Sequence, residues 1–262
     1  MKTTTFTLNA VSFGYSDTHV LHDINLTFEP GQLYGIVGPN GSGKSTLLDV
    51  LTGHQAPSSG SVTINTSPVA SIAPADRARQ FALVPQDVDF NFPFTLFETV
   101  LMGRHPHIQR FAHPSQKDVS IVETAIHTMD LSPLKGRIVA DLSGGERQRT
   151  VVARGLAQTT SALLLDEPTS SMDIRHALTT MTELQRLASE ENRTIIAVLH
   201  DLNLAAAFCD QIVILNKGRV HAHGTVTKAL TSEILNAVFR IQAEIFTTDT
   251  GVHIFYKLKD HS

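Results

Sequence analysis

The segment from Gly38 to Thr46, with the sequence GPNGSGKST, constrains the fold of this chain more than any other stretch. It fits the pattern G-x-x-x-x-G-K-[ST], in which glycines let backbone amides curl round phosphate groups at the start of a helix. A short apolar strand is predicted before it at Leu33 to Val37, and a helix after it from Lys44 to Thr52, closed by Gly53. This order of elements predicts an α/β protein that binds a nucleoside triphosphate.

Every residue of this phosphate loop is a candidate nucleotide contact. We expect Lys44 to reach the β and γ phosphates of ATP and the hydroxyl of Ser45 to bind Mg²⁺. The other candidates are Gly38, Pro39, Asn40, Gly41, Ser42, Gly43 and Thr46. The alternative is a glycine turn that matches by chance, which average residue usage allows in roughly one chain of this length per hundred. The flanking strand and helix make that alternative rarer still.

A second candidate site follows the apolar run Ala162 to Leu165, which leads directly into Asp166 and Glu167. Ligands of α/β sheets bind at the carboxyl ends of the strands, the edge at which the phosphate loop also lies. Asp166 is suited to holding Mg²⁺, directly or through water, and Glu167 to polarising the attacking water as a general base. A solvated turn after a strand is the alternative interpretation.

Two further polar residues follow predicted strands. His200 ends the strand that begins at Thr194, and Gln86 follows the run from Phe81 to Pro85. Gln86 could contact Mg²⁺ or water, and His200 could reach the phosphates. Each is weak evidence alone, because a single histidine at such a position is usually structural.

The segment Leu142 to Arg149, LSGGERQR, predicts a second helix start that can bind an anion. Its candidate nucleotide contacts are Ser143, Gly144 and Gly145. One nucleotide does not require two such sites in one chain, so we expect this segment to cover ATP held by a second copy, in a head-to-tail pair. The alternative is a plain helix cap formed by Ser143 and Glu146.

In order and spacing, these motifs resemble the complete set of the ATPase subunits of ABC transporters. The matching elements are Tyr15, GPNGSGKST, Gln86, LSGGERQR, LLLDEP, the SSMD segment that ends at Asp173, and His200. The resemblance implies that Tyr15 stacks on adenine, that Gln86 couples to the membrane subunit and that Asp173 communicates across the dimer. It also implies that His200 senses the γ-phosphate and that Glu167 is the catalytic base.

A narrower resemblance concerns the importers of ferric siderophores, haem and cobalamin. The segments that carry it are Glu98 to His107, Asp166 to His176, and Leu199 to Ala205. It implies membrane permease subunits made as separate chains, an external substrate-binding protein and an iron chelate as cargo, haem or a ferric siderophore, with cobalamin as the alternative. Ser171-Met172 departs from the Ala-Leu that the family more often carries, and leaves Asp173 intact.

The fold that the resemblance and the periodicity predict is a single ABC ATPase domain over residues 1–262. Residues 1–86 and 158–262 are expected to form a parallel core sheet, an antiparallel β lobe and a C-terminal hairpin, and about 87–157 an inserted helical lobe. The antiparallel strands are predicted between Thr3 and Phe28, and one helix from Val226 to Phe239. The hairpin is expected over Ala243 to Leu258, with Asp249-Thr250-Gly251 at its turn.

Composition restricts the function classes further. Lys and Arg number 21 against 25 Asp and Glu, a net charge of −4, which makes nucleic acid an improbable partner. The single Cys209 and a start without an apolar core favour the cytoplasm, and no apolar run approaches the ~20 residues of a membrane-spanning helix. We therefore expect a peripheral protein on the cytoplasmic face of the plasma membrane.

Two questions remain open at this level. The stretch Phe90 to Phe97 is either core of the helical lobe or the floor of a groove for a helix of the membrane subunit. Outside transport, the alternatives are an ABC-type ATPase acting on DNA or ribosomes, or a regulator that binds ATP and barely hydrolyses it. The acidic charge and the single set of motifs disfavour the first, and Glu167 with His200 disfavours the second.

Overall fold

A computed structural model describes residues 3–16, 18–86, 88, 92–248 and 251–257. Within these ranges the strands are β1 (Phe6–Tyr15), β2 (Thr18–Phe28), β3 (Leu33–Val37), β4 (Ser59–Ile64), β5 (Ser67–Pro68), β6 (Phe81–Val84), β7 (Ala162–Asp166), β8 (Thr194–Val198), β9 (Gln211–Asn216), β10 (Arg219–Thr225), β11 (Gln242–Thr248) and β12 (Gly251–Lys257). The helices are α1 (Lys44–Thr52), α2 (Pro74–Gln80), α3 (Leu96–Leu101), α4 (Gln116–Thr128), α5 (Gly144–Ala157), α6 (Ile174–Ser189), α7 (Leu202–Phe208), α8 (Val226–Ala229) and α9 (Ser232–Phe239).

The core sheet has the strand order β10-β9-β3-β8-β7-β6. Its inner strands are parallel, so the carboxyl ends of β3, β6, β7 and β8 meet at one edge. The expected parallel sheet is thus confirmed for most of its strands. The edge strand β10, for which the sequence predicted no strand, pairs antiparallel to β9 through the tight turn at Lys217 and Gly218.

The buried apolar side chains form two clusters, one on each face of the core sheet, because successive side chains of a strand point to opposite faces. On β7, Leu163 and Leu165 face the cluster that includes α5 and α6, whereas Leu164 faces α1 and the antiparallel strands. On β8, Ile195 and Ile196 divide in the same way. The core sheet is therefore covered on both faces, as its continuous apolar strands predict.

The second sheet is antiparallel, with the order β2-β1-β4-β5. Phe6, Leu8, Leu26 and Phe28 are buried on its inner face, with at most 7% of each exposed. The antiparallel strands expected between residues 3 and 28 are thus confirmed.

Helices α3, α4 and α5 lie between β6 and β7 in the chain, and we call them the helical lobe. Helix α3 begins after Thr95, which forms a reciprocal capping box with Glu98. Ser115 and Asp118 form another at α4. Buried Val100, Val122 and Val152 pack the three helices into one cluster.

The C-terminal part differs in one respect from expectation. The segment from Val226 to Phe239 is helical as predicted but is divided into two helices: α8 ends at Ala229, and Thr231 begins α9 by accepting a hydrogen bond from the amide of Ile234. A threonine cap competes with helix continuation, which explains the break. The hairpin of β11 and β12 is confirmed, while Asp249, Thr250 and Leu258 of the prediction lie outside the described residues.

Among the helices of the described ranges, none has both the length and the apolar character that crossing a bilayer requires.

Candidate functional site

The phosphate loop joins β3 to α1 and is held from outside by backbone hydrogen bonds. The amide of Ser42 donates to Pro39 over 3.1 Å, and the amide of Gly218 donates to the carbonyl of Ser42 over 3.0 Å. A Cβ on Gly38 would lie 2.2 Å from the carbonyl oxygen of Leu215, so only glycine fits there. Gly43 has φ +101°, a conformation that favours glycine, and it leads directly into α1.

Lys44 lies inside this loop. Its side chain is buried, and its ammonium donates to the carbonyl oxygens of Gly38 and Pro39 over 2.9 and 3.2 Å. Burial lowers its pKa, and the negative charges of Glu167 and Asp166 oppose that shift. The cation is therefore at the centre of the loop, where a phosphate group would replace the two carbonyls as its partner.

Asp166, the last residue of β7, faces Ser45, the second residue of α1. Burial raises the pKa of the Asp166 carboxyl, and the hydroxyl of Ser45 opposes that shift. The carboxylate oxygen Oδ1 of Asp166 is buried and has no hydrogen-bond partner among the described residues. An unsatisfied buried oxygen next to a hydroxyl is a donor set that fits Mg²⁺, since hard cations take oxygen ligands.

Glu167 follows β7, and its side chain contacts polar residues that follow two other strands of the core sheet. Its Oε2 accepts a hydrogen bond from the amide of Gln86 over 2.8 Å, and its Oε1 lies 2.5 Å from Nε2 of His200. The side chain of Glu167 is 12% exposed, against 46% for that of His200. Gln86, Glu167 and His200 follow β6, β7 and β8, so the register of the parallel strands brings together residues that lie far apart in sequence.

The backbone of Glu167 has φ 51°, which non-glycine residues rarely adopt. Its amide donates to the carbonyl of Val198 over 3.2 Å, and its carbonyl accepts from the side chain of Gln148 over 3.4 Å and from the amide of Ser170 over 3.3 Å. These bonds hold the turn in place and direct the carboxylate towards Gln86 and His200. Left-handed glutamate at a strand end is typical of functional sites.

Ser143 caps α5, as predicted. Its hydroxyl accepts from the amide of Glu146, and the Glu146 carboxylate accepts from the amide and hydroxyl of Ser143 over 2.7 Å each. These bonds lower the pKa of Glu146. No hydrogen bond within the described ranges joins Ser143 to the phosphate loop, so the structure does not bring these two predicted sites together in one chain.

The glycines after Ser143 pack against the loop that precedes α6. A Cβ on Gly145 would lie 2.8 Å from the carbonyl oxygen of Ser171, whereas one on Gly144 would meet only the Ser171 Cβ at 3.9 Å. Gly145 therefore permits the close approach of the loop, and Gly144 faces open space.

The two remaining predicted residues lie at the ends of elements. Tyr15, the last residue of β1, is 47% exposed, and its ring packs edge-on against Phe13 at 4.8 Å between centroids. Asp173 caps α6 by accepting from the amide of His176 over 2.9 Å, and the bonds to His176 lower its pKa. Tyr15 and Asp173 are both exposed, and no hydrogen bond among the described residues joins either of them to Gln86, Glu167 or His200.

Sequence reasoning assigned no role to Gln148, although its side chain contacts the backbone of Glu167. It lies five residues after Ser143 on a helix whose other buried residues are mostly apolar or basic. A polar amide on the buried side of α5 is the signal that indicates a specific hydrogen bond.

Comparison with known proteins is consistent with this geometry. The sequence profile of the ABC transporter family matches residues 21–170. A hemin import ATP-binding protein of Pseudomonas putida is 46% identical over 227 residues, which cover 85% of this chain and 87% of the relative. A cobalamin import ATP-binding protein of Halobacterium salinarum is 41% identical over 230 residues, 88% of this chain and 57% of that relative. The match thus spans little more than half of the Halobacterium protein.

Solved structures give the same assignment. A metal-chelate type ABC transporter in an inward-facing conformation superposes with a TM-score of 0.83 at 29% identity, and the match covers 98% of each chain. An ATP-binding cassette in a dimeric post-hydrolysis state, bound to ADP and phosphate, superposes with a TM-score of 0.75 at 26% identity, over 84% of this chain and 98% of that one. From its motifs, fold and relatives, the chain belongs to the ABC transporter family.

Proposed function

We propose that this chain is the ATP-hydrolysing subunit of an ABC importer that takes up an iron chelate, either haem or a ferric siderophore. The proposal of ATP hydrolysis rests on one observation: Gln86 and His200 both contact Glu167, close to Lys44. The named activity of the Pseudomonas relative supports the iron chelate, and that of the Halobacterium relative favours cobalamin as the second candidate.

In this proposal the phosphate loop binds the β and γ phosphates of ATP. Backbone amides of residues 38–46 and the ammonium of Lys44 supply the positive charge. Ser45 and Asp166 would hold Mg²⁺, with Gln86 as a further ligand, and the bound ion would supply positive charge next to the phosphates. Tyr15 stacks on the adenine, which its exposure at the end of β1 permits.

Glu167 acts as the general base. Its carboxylate takes the proton of the attacking water, which requires the ionised form. His200 and Gln86 each contact one oxygen of this carboxylate and so fix its orientation. A pre-oriented base lowers the entropic part of the barrier. In the ATP-bound state His200 also contacts the γ-phosphate, and Gln86 couples the occupancy of the site to the helical lobe.

A second copy of the chain completes each site. Ser143, Gly144 and Gly145 present a helix start with no nucleotide loop of their own chain beside it, and Gly144 has open space in front of it. The dimeric state of the structural relative supports the same arrangement. In a head-to-tail pair this helix start covers the γ-phosphate held by the partner, and Asp173 reaches across the interface.

A mixing experiment tests the shared site. Lys44→Ala removes the phosphate cation, and Gly144→Asp places a negative charge at the helix start without a steric clash, because only the Ser171 Cβ is near. Each variant alone should lack ATPase activity. Mixed in equal amounts, they should regain it, since one site of each mixed dimer then combines an intact loop with an intact helix start.

The matched control is Gln116→Asp, which puts the same charge at the first residue of α4 and should leave ATPase activity unchanged. Mixtures that stay as inactive as the separate variants would show that both elements act within one chain. Phosphate release at fixed total protein concentration is the measurement.

The permease contact is proposed for a groove between α2 and the helical lobe, with a volume of about 890 Å³. Its lining includes exposed Phe94, Met102 and Phe111, beside Arg79 and Glu98. For residues 90–97, of which Phe90 and Asn91 lie outside the described residues, exposure supports a mixture of the two interpretations. Leu96 is buried in the lobe, whereas Phe92 and Phe94 are 68% and 41% exposed and available to a partner helix.

Cargo is selected by the permease and by an external substrate-binding protein, so it is tested on the assembled complex at the cytoplasmic face of the plasma membrane. The chain is reconstituted with a permease that co-purifies with it. Stimulation of its ATPase activity is then compared for haem, a ferric hydroxamate and cobalamin, each with its binding protein. Stimulation by cobalamin alone would replace the iron-chelate assignment with the second candidate.

A further inference from the structure

One face of α6 contacts both the helical lobe and the loop of residues 167–173 that precedes α6. His176 and Thr180 lie one helical turn apart, and therefore on the same face of the helix. Each of them touches the two segments Met129–Asp130 and Met172–Asp173. We call these two residues the α6 bridge.

The outer layer of the α6 bridge is polar. The side chain of His176 is only 19% exposed, and its Nδ1 lies 2.9 Å from the carboxylate of Asp173. Its Nε2 lies 3.7 Å from the carboxylate of Asp130, at the end of the turn that follows α4. The imidazole of His176 thus lies between two carboxylates, one from each of the two segments.

The inner layer is buried and involves sulfur. The hydroxyl of Thr180 lies 3.4 Å from Sδ of Met172 and 4.0 Å from Sδ of Met129. Thr180 is 1% exposed. The same two segments are thus joined twice, once at the surface and once inside.

On the side of the helical lobe, the turn at Met129 and Asp130 contacts α5. The guanidinium of Arg149 donates to the carbonyl oxygens of Met129 and Asp130, over 3.1 and 3.3 Å. Arg149 is buried on the helix that begins beside Ser143. Asp130 itself has φ 54°, so its turn has a defined geometry. The α6 bridge is therefore linked through this turn to the helix start at Ser143.

We propose that His176 is a positioning residue that fixes Asp173 relative to the helix start at Ser143, the two elements that the chain offers to a second copy. This inference rests on the head-to-tail function proposed above. Without the imidazole, the carboxylates of Asp130 and Asp173 lose the ring that joins them, while Arg175 still pairs with Asp130 at 3.3 Å. We expect Asp173 then to be held less firmly relative to the helical lobe.

A double-mutant cycle in ATP hydrolysis tests the positioning role. His176→Ala keeps the helix cap, because Asp173 bonds the backbone amide of residue 176. We expect His176→Ala and Asp130→Ala each to lower kcat about fivefold and to change KM for ATP less than about twofold. The kcat of the double variant should be no lower than that of either single variant, because the two substitutions remove the same contact. His176→Gln should recover part of the loss.

Two controls keep the result interpretable. Lys135→Ala breaks a surface ion pair of the same lobe, with Glu123 at 3.5 Å, and should leave kcat unchanged. Thermal unfolding of each variant identifies any loss of folding. Additive losses in the cycle, or an unchanged kcat in His176→Ala, would overturn the inference.

A measurement on the nucleotide-free chain separates this inference from the proposed function. Amide hydrogen exchange reports local opening irrespective of ATPase activity. We expect faster exchange in residues 127–131 and 169–173 of His176→Ala, and unchanged exchange there in Lys135→Ala. If the wild-type chain does not hydrolyse ATP, the proposed function fails while this result still supports the bridge. Unchanged exchange in both segments contradicts the bridge itself.

Discussion

The side-chain amide of Gln86 donates to the carboxylate of Glu167 over 2.8 Å, which joins the second residue after β6 to the first residue after β7. His200 contacts the other carboxylate oxygen. Both carboxylate oxygens of Glu167, the candidate base, thus have a partner before any nucleotide is bound. The orientation of this side chain and its capacity to accept a proton can be tested with separate variants.

Replacing Glu167 with Gln keeps the size of the side chain and removes its capacity to accept a proton. We expect ATP to bind and the rate of hydrolysis to fall about a hundredfold or more, because a general base contributes on this scale. The variant should accumulate as an ATP-bound dimer, measured by light scattering. Gln86→Ala removes an orienting contact but keeps the base, so its loss should be smaller. Unchanged turnover in Glu167→Gln would refute the assignment of the base.

Asp166→Asn should have opposite effects on stability and activity. Burial raises the pKa of Asp166. The favourable contribution of this carboxyl to the free energy of unfolding is therefore present below its unfolded-state pKa, and it is lost as the pH rises through its folded-state pKa. At pH 8 without nucleotide the variant should therefore melt at a higher temperature than wild type, and near pH 4 the two should converge. Hydrolysis of Mg-ATP should be lost, because a carboxylate ligand is gone. A lower melting temperature at pH 8 would contradict the burial argument.

Asp118→Asn should destabilise the helical lobe in a pH-dependent way. Hydrogen bonds from Ser115, and then from Arg104 at 2.9 Å, lower the pKa of Asp118 to about 2. Its contribution, about 2 kcal/mol, is present above the unfolded-state pKa and is lost as the pH falls towards 2. Urea unfolding should show the full difference at pH 7 and a smaller one at pH 3. The surface variant Glu123→Gln should change the free energy of unfolding by about 0.5 kcal/mol or less at either pH.

Phe111→Asp should separate transport from ATPase activity. The side chain is 91% exposed at the groove between α2 and the lobe, so an added charge costs the fold little. Uptake by the assembled importer should be lost, while the isolated chain hydrolyses ATP as wild type does. Phe246→Asp, on the outer face of the C-terminal hairpin, is the matched control and should leave uptake intact. Loss of folding in Phe111→Asp would indicate instead that the residue belongs to the core.

Much of the core could be predicted because local signals and global structure agree. The strand before Gly38, the helix from Lys44 to Thr52 and the carboxylates after β7 each follow from short-range patterns. The strand register then brings Gln86, Glu167 and His200 together. The sequence indicated only that each residue follows a strand, and parallel pairing of β6, β7 and β8 supplied the rest.

Other features depend on contacts that no local pattern contains. The antiparallel strand β10 alternates half-buried and exposed residues and carries two histidines, so it resembles a surface loop until β9 pairs with it. Thr231 interrupts the C-terminal helix because α9 packs with β11. The role of His176 depends on Asp130, which lies 46 positions earlier in the chain. The division into lobes at about residues 87 and 157, and the roles assigned to the site residues, stay predictions.

The left-handed backbone of Glu167 sets a limit on how this chain can be made more heat-resistant. A glycine at this position would relieve a conformational cost of about 1 kcal/mol, so the most stable residue for the backbone is not the one that the chemistry needs. Laboratory evolution that selects for survival at high temperature alone would be expected to replace this glutamate. Selection must therefore include turnover, because at this position heat resistance and catalysis are in direct competition.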